Sequence, residues 1–583
     1  MDVKRIFGIN KNGDEKYKNR LSTSSVQIKR LDNYSDELIE VLDEYANEID
    51  SALTPYNRKS AEETMMVSSI RRSSQETTTR KTHVENMEGI AVEIAKKLGL
   101  CVGATRVIAR HHDIGHTFFG HAGERWLSDI KEDLGIGFYS HNALGPQELI
   151  YHRKIYDEIL DRIKEFNPDI TRKELLRIRK SLWLIFDGIN SHNGEKTETE
   201  FKPNRGKNND QFIRELTNCF TIKNYDKTIV PATMEGCLIR LCDKISYIPY
   251  DMVDGIREGF IDKIDEDYIP TLTALGITEE EIKRCNERKN YDLIIRKLQI
   301  SLTKDVIKNS TSSVIRMSEE TSKHLHELRN INNRRIIEYN ILAEDNEIYP
   351  KAIRTLMEQF ADYIISSGLL EELEYGEISN ESAKSFMSEL DKTQYEDFAR
   401  YMISITHDDY IFTEEMLYHA RKQTISREQE IARQIVFGKK DFKEEKGFEK
   451  RDERIRKYIE KYKNMGITDK YPEQSILDDV ENELAKEELE TNGHGFDYKI
   501  ALEIGARYLS KLNDFEIFNL LKNTGMITEE QARSLSRTYK EIGQEGLRAE
   551  HDVQKEFKLL MDEQQEETRK IGKAQTYMNE YER

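Results

Sequence analysis

Three features of the chain predict an all-α fold. Helix breakers are scarce, with 9 Pro and 30 Gly in 583 residues. Apolar residues recur at three- and four-residue spacing in one segment after another, and the alternation that marks strands is rare. A chain of this length exceeds what one hydrophobic core usually serves, so two or more subdomains are expected. With 34% charged residues the chain is polar, but 9% aromatics argue against general disorder.

The elements follow in order. Residues 34–50 (YSDELIEVLDEYANEID) have helical spacing, and residues 83–98 (HVENMEGIAVEIAKKL) form a second helix whose stop is Gly99. The run ATRVIARHHDIGH predicts a helix ending near Gly115, and two more are expected over 147–166 and 172–190. The polar stretch 193–210 (NGEKTETEFKPNRGKNND) reads as a loop, open to being a lid or disordered. Residues 232–260 predict a long apolar helix with a kink at Pro249. From about 263 to 436 amphipathic helices succeed one another with short polar joins. Residues 439–463 carry mixed charge at i,i+4 spacing, which predicts an exposed helix rather than a binding patch. GITDKYPEQ and ETNGHGFD punctuate the C-terminal third, which is expected to end in a charged helix.

Charge and cysteine usage narrow the functional classes. The balance of 89 basic and 108 acidic residues opposes a wholesale nucleic-acid coat, while leaving room for a local basic cleft. The cysteines (Cys101, Cys219, Cys237, Cys242, Cys285) show no CxxC spacing and read as buried thiols in a reducing compartment. MDVKRIFGINKNGDEKYK has no apolar signal region, and no apolar run approaches membrane-spanning length, so the expectation is a cytoplasmic protein with no membrane partner.

One stretch stands apart. HHDIGHTFFGHAGE, residues 111–124, holds four of the chain's 14 histidines and two carboxylates. It is either a histidine-rich helix end or a metal site with its catalytic acid attached. His112 and Asp113 point about 100° apart on a helix, yet an ion beside the helix C-terminus can touch both. Imidazole with carboxylate suits Mn, Fe, Co, Ni, or Mg with extra waters, and no thiolate is present to favour a closed zinc site. Further ligands have to come from elsewhere. His83 opens a helix in RKTHVENM. Asp243 lies in an apolar helix between Leu241, Cys242 and Ile245, where a carboxylate needs either a metal or an ion pair such as Arg240 at i−3. His83, His112, Asp113 and Asp243 together give four metal ligands from three helices, with positions left for water and phosphate.

The order H…HD…D followed by HDIGHTFFGHAGE resembles the HD-domain superfamily of metal-dependent phosphohydrolases. More narrowly it resembles the deoxynucleotide triphosphohydrolases, the dGTPase-like group. His112, Asp113, Gly115, Phe119, Gly120, His121, Gly123 and Glu124 fall in register with that group's motif. RKTH matches its R-x-T-H, FYSHNALG is similar to its F-x-H-N-x-Q, and DKISYIPYD to its D-x-I-x-Y-x-x-x-D. The likeness covers roughly residues 50–260. Leu144 stands where the group often has Gln, Lys244 replaces a second aspartate of many bacterial members, and the lead-in before Arg80 is loose. These departures bear on substrate identity more than on the metal site.

The resemblance implies an HD-domain helical core with an additional C-terminal helical region. The expected division is an N-terminal segment at 1–50, a phosphohydrolase core at 51–262, a helical extension at 263–438 and a charged helical region at 439–583. It implies a divalent metal ion (Mn2+, Mg2+, Co2+ or Fe2+) and conversion of a dNTP, dGTP favoured, to deoxynucleoside and tripolyphosphate by water attack at the α-phosphorus. The poor 5′-alkoxide leaving group needs a proton, for which His121 and Glu124, at i,i+3, form an acid–base pair, with His116 beside them. Arg80, His141 and Lys244 would contact the triphosphate. Tyr247 and Asp251 would read the sugar, excluding a 2′-hydroxyl. His111 is expected to point away, and His192 in NSHNG resembles a family feature only weakly. A homo-oligomer, hexamer or tetramer, is implied, with an allosteric nucleotide or single-stranded nucleic acid as a further partner. The alternatives are another HD-type nucleotidase or phosphodiesterase, and a nucleotide-sensing or nucleic-acid-binding regulator with a vestigial site.

Overall fold

A computed structural model describes residues 34–57, 78–193, 198–337, 345–390, 392–466, 480, 482–483 and 495–528. The expected C-terminal charged helix, most of the lead-in before Arg80, and most of GITDKYPEQ and ETNGHGFD lie outside the described residues.

The fold is all-α, with a single two-stranded ribbon among the described residues. The predicted 34–50 helix is two, α1 (Tyr34–Glu44) and α2 (Ala46–Leu53), broken at Tyr45. Helix α3 (Arg80–Leu98) starts on Thr79, whose side chain accepts from the Thr82 N–H, and stops at Gly99 with φ 70°. Helix α4 (Val102–His111) ends earlier than its sequence suggests, and residues 112–115 form a turn. The reason is packing. At Gly115 the chain runs so close to the next helical segment that a Cβ would lie 1.9 Å from the His141 carbonyl oxygen.

Helix α5 (Gly120–Leu134) follows, then α6 (His141–Gln147), which passes through a π turn at Glu148–His152 before α7 (Ile155–Phe166). The expected 147–166 helix is therefore split, with Lys154 left-handed at φ 50°. Helix α8 (Arg172–Ser181) opens on a Thr171–Glu174 capping box and is followed by α9 (Trp183–Asn190). The loop expected over 193–210 is more structured than that. Glu200–Phe201 (β1) pairs antiparallel with Ile315–Arg316 (β2), and Lys207 is buried, 2.5 Å from Asp187 and ion-paired with Glu215. A polar composition hid a buried anchor. Helix α10 (Asn209–Thr221) starts on the side chain of Asn208, and α11 (Met234–Arg257) runs through Pro249 without ending.

Amphipathic helices then succeed one another as expected: α12 (Ile269–Ala274), α13 (Glu279–Arg288), α14 (Asp292–Asn309), α15 (Glu319–Asn332), α16 (Asp345–Ser366), α17 (Leu369–Tyr375), α18 (Asn380–Glu389), α19 (Lys392–Ser404) and α20 (His407–Val436). Helix α21 (Glu449–Met465) begins ten residues later than the charge pattern suggests. It is not simply exposed, because Ile455, Tyr458 and Tyr462 are buried with Ile425 and Ala432 of α20. Helices α22 (Gly495–Ser510) and α23 (Asp514–Asn523) complete the described chain.

One hydrophobic cluster extends from Leu38 to Ile527, with α3 packed on α4 and α11, and α16 packed on α22 and α5. Buried charges join its distant parts. Asp409 of α20 accepts from Arg507 (2.8 Å), Gln147 (2.6 Å) and His152 (3.1 Å), while Glu503 pairs with Arg507 and with Lys131 of α5. Each of these ions would be costly to bury without its partner.

Candidate metal and catalytic site

Helices α3, α4 and α11 pack against one another, and the expected ligands converge where they meet. His83 lies one turn into α3, His112 caps α4, Asp113 follows in the turn, and Asp243 projects from the middle of α11. His83 Nε2 is 3.3 Å from His112 Nε2 and 3.2 Å from Asp243 Oδ1. His112 Nε2 is 3.3 Å from Asp113 Oδ1 and 3.9 Å from Asp243 Oδ1.

The other ring nitrogens are already committed. His112 Nδ1 donates to the Ala109 carbonyl (2.7 Å), and His83 Nδ1 faces Ser246 Oγ (3.1 Å), which also accepts from Asn86. Both Nε2 lone pairs are thereby aimed at one point. Two such lone pairs in contact repel unless a cation lies between them, so the donor set fits a metal ion. Burial pulls the His112 pKa below its ordinary value despite the nearby carboxylates. Burial opposes ionisation of Asp113, but the charges of His112, His116 and Arg80 outweigh it and hold the carboxyl well below the usual range.

A second group adjoins the first through Asp113. His116 Nε2 is 3.3 Å from Asp113 Oδ1, and its ring stacks on His141 at 3.8 Å and 19°. Glu124, from the first turns of α5, contacts two imidazoles. His121 Nδ1 is 3.4 Å from Oε2, whereas His141 Nδ1 makes a shorter bond to Oε1, to which the His141 backbone N–H also donates at 3.3 Å. The expected His121–Glu124 pair is thus brought together, but the closer partner of Glu124 is His141. Burial disfavours the His141 imidazolium, yet the Glu124 carboxylate overcomes this and raises the pKa above its ordinary value. His121 is 57% exposed and so is the imidazole open to an incoming molecule.

His192, given little weight from sequence, belongs to this group. Its Nδ1 is 2.5 Å from the Ile189 carbonyl, leaving Nε2 3.3 Å from His141 Nε2 and 3.8 Å from Asp113 Oδ1. Burial, then the His112 and His141 charges, push its pKa down to about 3. The only sequence signal for it was the NSHNG stretch after an apolar helix.

The remaining residues divide. Arg80 Nη1 donates to Asp113 Oδ2 at 2.7 Å, so it bonds the carboxylate at which the two groups meet. Lys244 lies 5.5 Å from the Phe201 ring centroid; burial, then the Arg329 charge, lower its pKa to about 8. Tyr247 is half-buried on the same helix. Asp251 is buried, and that burial together with Asp254 pushes its carboxyl up to about 7, against the His121 and His83 charges. Arg240 does not pair with Asp243; it donates to the Ser191 (2.5 Å) and Ile229 carbonyls. His111 bonds Asp50 and Asn57, away from the cluster. All five cysteines are buried, and none of them forms a disulfide. A cavity of about 730 Å³ lined by Tyr151, Arg179, Arg214 and Phe412 shares no residue with this site.

Residues 80–247, which carry this H…HD…D arrangement on their helices, match the HD domain family. Within that class the chain is similar to proteins named deoxyguanosinetriphosphate triphosphohydrolase-like protein. The one from Rickettsia bellii is 28% identical over 263 residues, 43% of this chain and 57% of that protein. The one from Bradyrhizobium diazoefficiens is 34% identical over 203 residues, 34% of this chain and 45% of that protein. The chain thus spans about half the length of the relatives it matches. No helix among the described residues is long and apolar enough to cross a membrane.

Proposed function

We propose that the protein is a metal-dependent deoxynucleoside triphosphate triphosphohydrolase, converting a dNTP and water to a deoxynucleoside and tripolyphosphate. The observation that carries this reading is the meeting of two groups at Asp113: a ligand set for one ion, and a carboxylate holding two imidazoles. Nucleotide hydrolysis fits both the HD domain and the names of the relatives.

His83, His112, Asp113 and Asp243 would hold the ion, Mn2+, Mg2+, Co2+ or Fe2+. When bound, it supplies neutralising charge and polarises the α-phosphorus. Arg80 keeps the Asp113 carboxylate oriented and adds positive charge beside the phosphates. As the bond from the α-phosphorus to the 5′-oxygen breaks, that oxygen takes a proton from one member of the His121–Glu124 pair, while the attacking water forms the new P–O bond and gives its proton to the other. His141 and His116, stacked, form the wall facing the phosphates. Lys244 adds positive charge along α11. Tyr247 packs on the sugar and Asp251 accepts from its 3′-hydroxyl, which leaves no room for a 2′-hydroxyl. dGTP is the first substrate to try. An oligomer, an activating nucleotide or single-stranded nucleic acid, and a cytoplasmic setting go with the reading.

The test is product analysis of the metal-loaded full chain with each dNTP. Tripolyphosphate and deoxynucleoside support the proposal. Orthophosphate or pyrophosphate would move the protein to another class of HD phosphohydrolase, and no turnover with any dNTP would overturn the reading.

A further inference from the structure

We infer that Asp514 is a positioning residue for the turn that presents His121, an inference that rests on the acid–base reading of His121. Phe119 and Gly120 are consecutive left-handed residues, with φ of 51° and 52°. Glycine adopts this conformation freely, but a phenylalanine crowds its Cβ against the backbone there. Phe119 also occupies the position before α5 where a helix usually begins on extended backbone and a Ser, Thr, Asp or Asn side chain; it offers no side-chain cap.

The turn is held from outside. The Phe119 N–H donates to Asp514 Oδ1 at 2.6 Å, a contact between residues 395 positions apart. Both residues are buried, at 4% and 6% exposure. Asp514 is itself fixed as the first residue of α23, whose start is set by the Asn513–Glu516 capping box and whose Ile517 and Leu521 are fully buried. On the opposite side the Phe119 ring packs on Tyr349 at 5.3 Å and Trp126 at 6.1 Å. Ring and N–H together pin the left-handed step.

What this step controls is the entry of α5. His121 is the second residue of that helix and Glu124 lies one turn from its start. If Phe119 loses its acceptor, its buried N–H has no protein partner and the residue gains by returning to negative φ. That rotation redirects His121 relative to Glu124 and Asp113. The C-terminal helical region, which carried no recognisable motif, thus reaches directly into the catalytic turn.

The experiment compares Asp514→Ala, Asp514→Ser, Asp514→Asn, His121→Ala and the Asp514→Ala/His121→Ala pair in the full chain, metal-loaded, with dGTP. Asp514→Ala should lower kcat by about tenfold or more while KM changes by less than about threefold, because placement of the acid rather than binding is lost. Asp514→Asn retains an oxygen acceptor and should stay within about threefold of wild type. Asp514→Ser suits a helix start but is too short to reach Phe119, so it should behave like Asp514→Ala even if the alanine variant fails to fold. Hydrogen exchange of the 116–124 peptide should quicken in the alanine and serine variants and not in the asparagine variant. The double variant should be no slower than His121→Ala. Wild-type kcat in Asp514→Ser, equal losses in the Asn and Ser variants, or unchanged exchange would overturn the inference. Full activity in His121→Ala would instead overturn the acid–base reading, and the exchange measurement would still decide the role of Asp514.

Discussion

Adding one methyl group at Gly115 should damage this protein more than adding one at Gly89, and the structure says by how much. A Cβ at Gly115 would lie 1.9 Å from the His141 carbonyl oxygen, 2.8 Å from the Gly145 nitrogen and 2.9 Å from the His141 carbonyl carbon. Ordinary contact begins near 3.4 Å, so the backbone of α6 must retreat by about 1.5 Å, and no flexible side chain is available to absorb the motion. Overpacking of this kind costs about 1–3 kcal/mol, with the upper end expected where backbone meets backbone. His141 rides on the displaced segment and carries the close bond to Glu124 and the stack on His116. A misplacement of about 1 Å in a group that positions the substrate can cost about 10²-fold in rate. Gly89, by contrast, sits exposed in α3 with nothing within 4 Å of its Cβ position, and alanine there should stabilise by about 0.5–1 kcal/mol. Thermal and denaturant midpoints of the two variants, with dGTP hydrolysis, form the assay. Equal midpoints, or a Gly115→Ala enzyme with wild-type kcat, would refute the close approach of α6 to the HD turn.

Asp113→Ala should lose the metal together with activity, and elemental analysis showing full occupancy would remove it from the ligand set. His121→Ala should keep metal and fold but lose about 10²–10⁴ in turnover, the range for a general acid or base; a loss of only a few-fold would exclude it. The Asp409 carboxyl, buried yet held at about 2 by Arg507 and His152, should stabilise the fold fully above about pH 4. Because its folded pKa lies below the unfolded one, that contribution, about 2 kcal/mol, should vanish as pH falls from about 4 to 2. Acid titration of Asp409→Asn by circular dichroism should lack this component, and an identical acid limb would contradict it. Wild type should favour dGTP over GTP by at least about 10²-fold in kcat/KM, and Tyr247→Ala should narrow the gap; equal hydrolysis of the two by wild type would sink the sugar assignment.

The clustering of His83, His112, Asp113 and Asp243 was legible because these residues sit in short, ordered motifs whose chemistry is local. His112 and Asp113 adjoin, and His83 and Asp243 are each odd in their own helix. The end of α3 was legible for the same reason, since Gly99 is a local stop. What the sequence hid depends on residues far apart in the chain. The preference of Glu124 for His141 over its i,i+3 neighbour arises only when α6 is laid across the HD turn. His192 joins through the end of α9, and Asp514 through α23. Helix α4 stops at His111 because of crowding against α6, which propensity does not encode. In α21 the apolar stripe of Ile455, Tyr458 and Tyr462 was masked by the charges around it.

The buried ions that join α5, α20 and α22 also bear on how the molecule is made. A ribosome releases residues 80–247 long before Glu503, Arg507 and Asp514. During that interval Lys131 lacks its counter-charge and the Phe119 N–H lacks its acceptor; Asp409, emerging later, waits for Arg507. Helices α3, α4 and α11 can therefore assemble early, whereas the Phe119 turn is set only when the last helices dock. Nascent or prematurely terminated chains would already hold His83, His112, Asp113 and Asp243 together while the turn before α5 still waits for that final step.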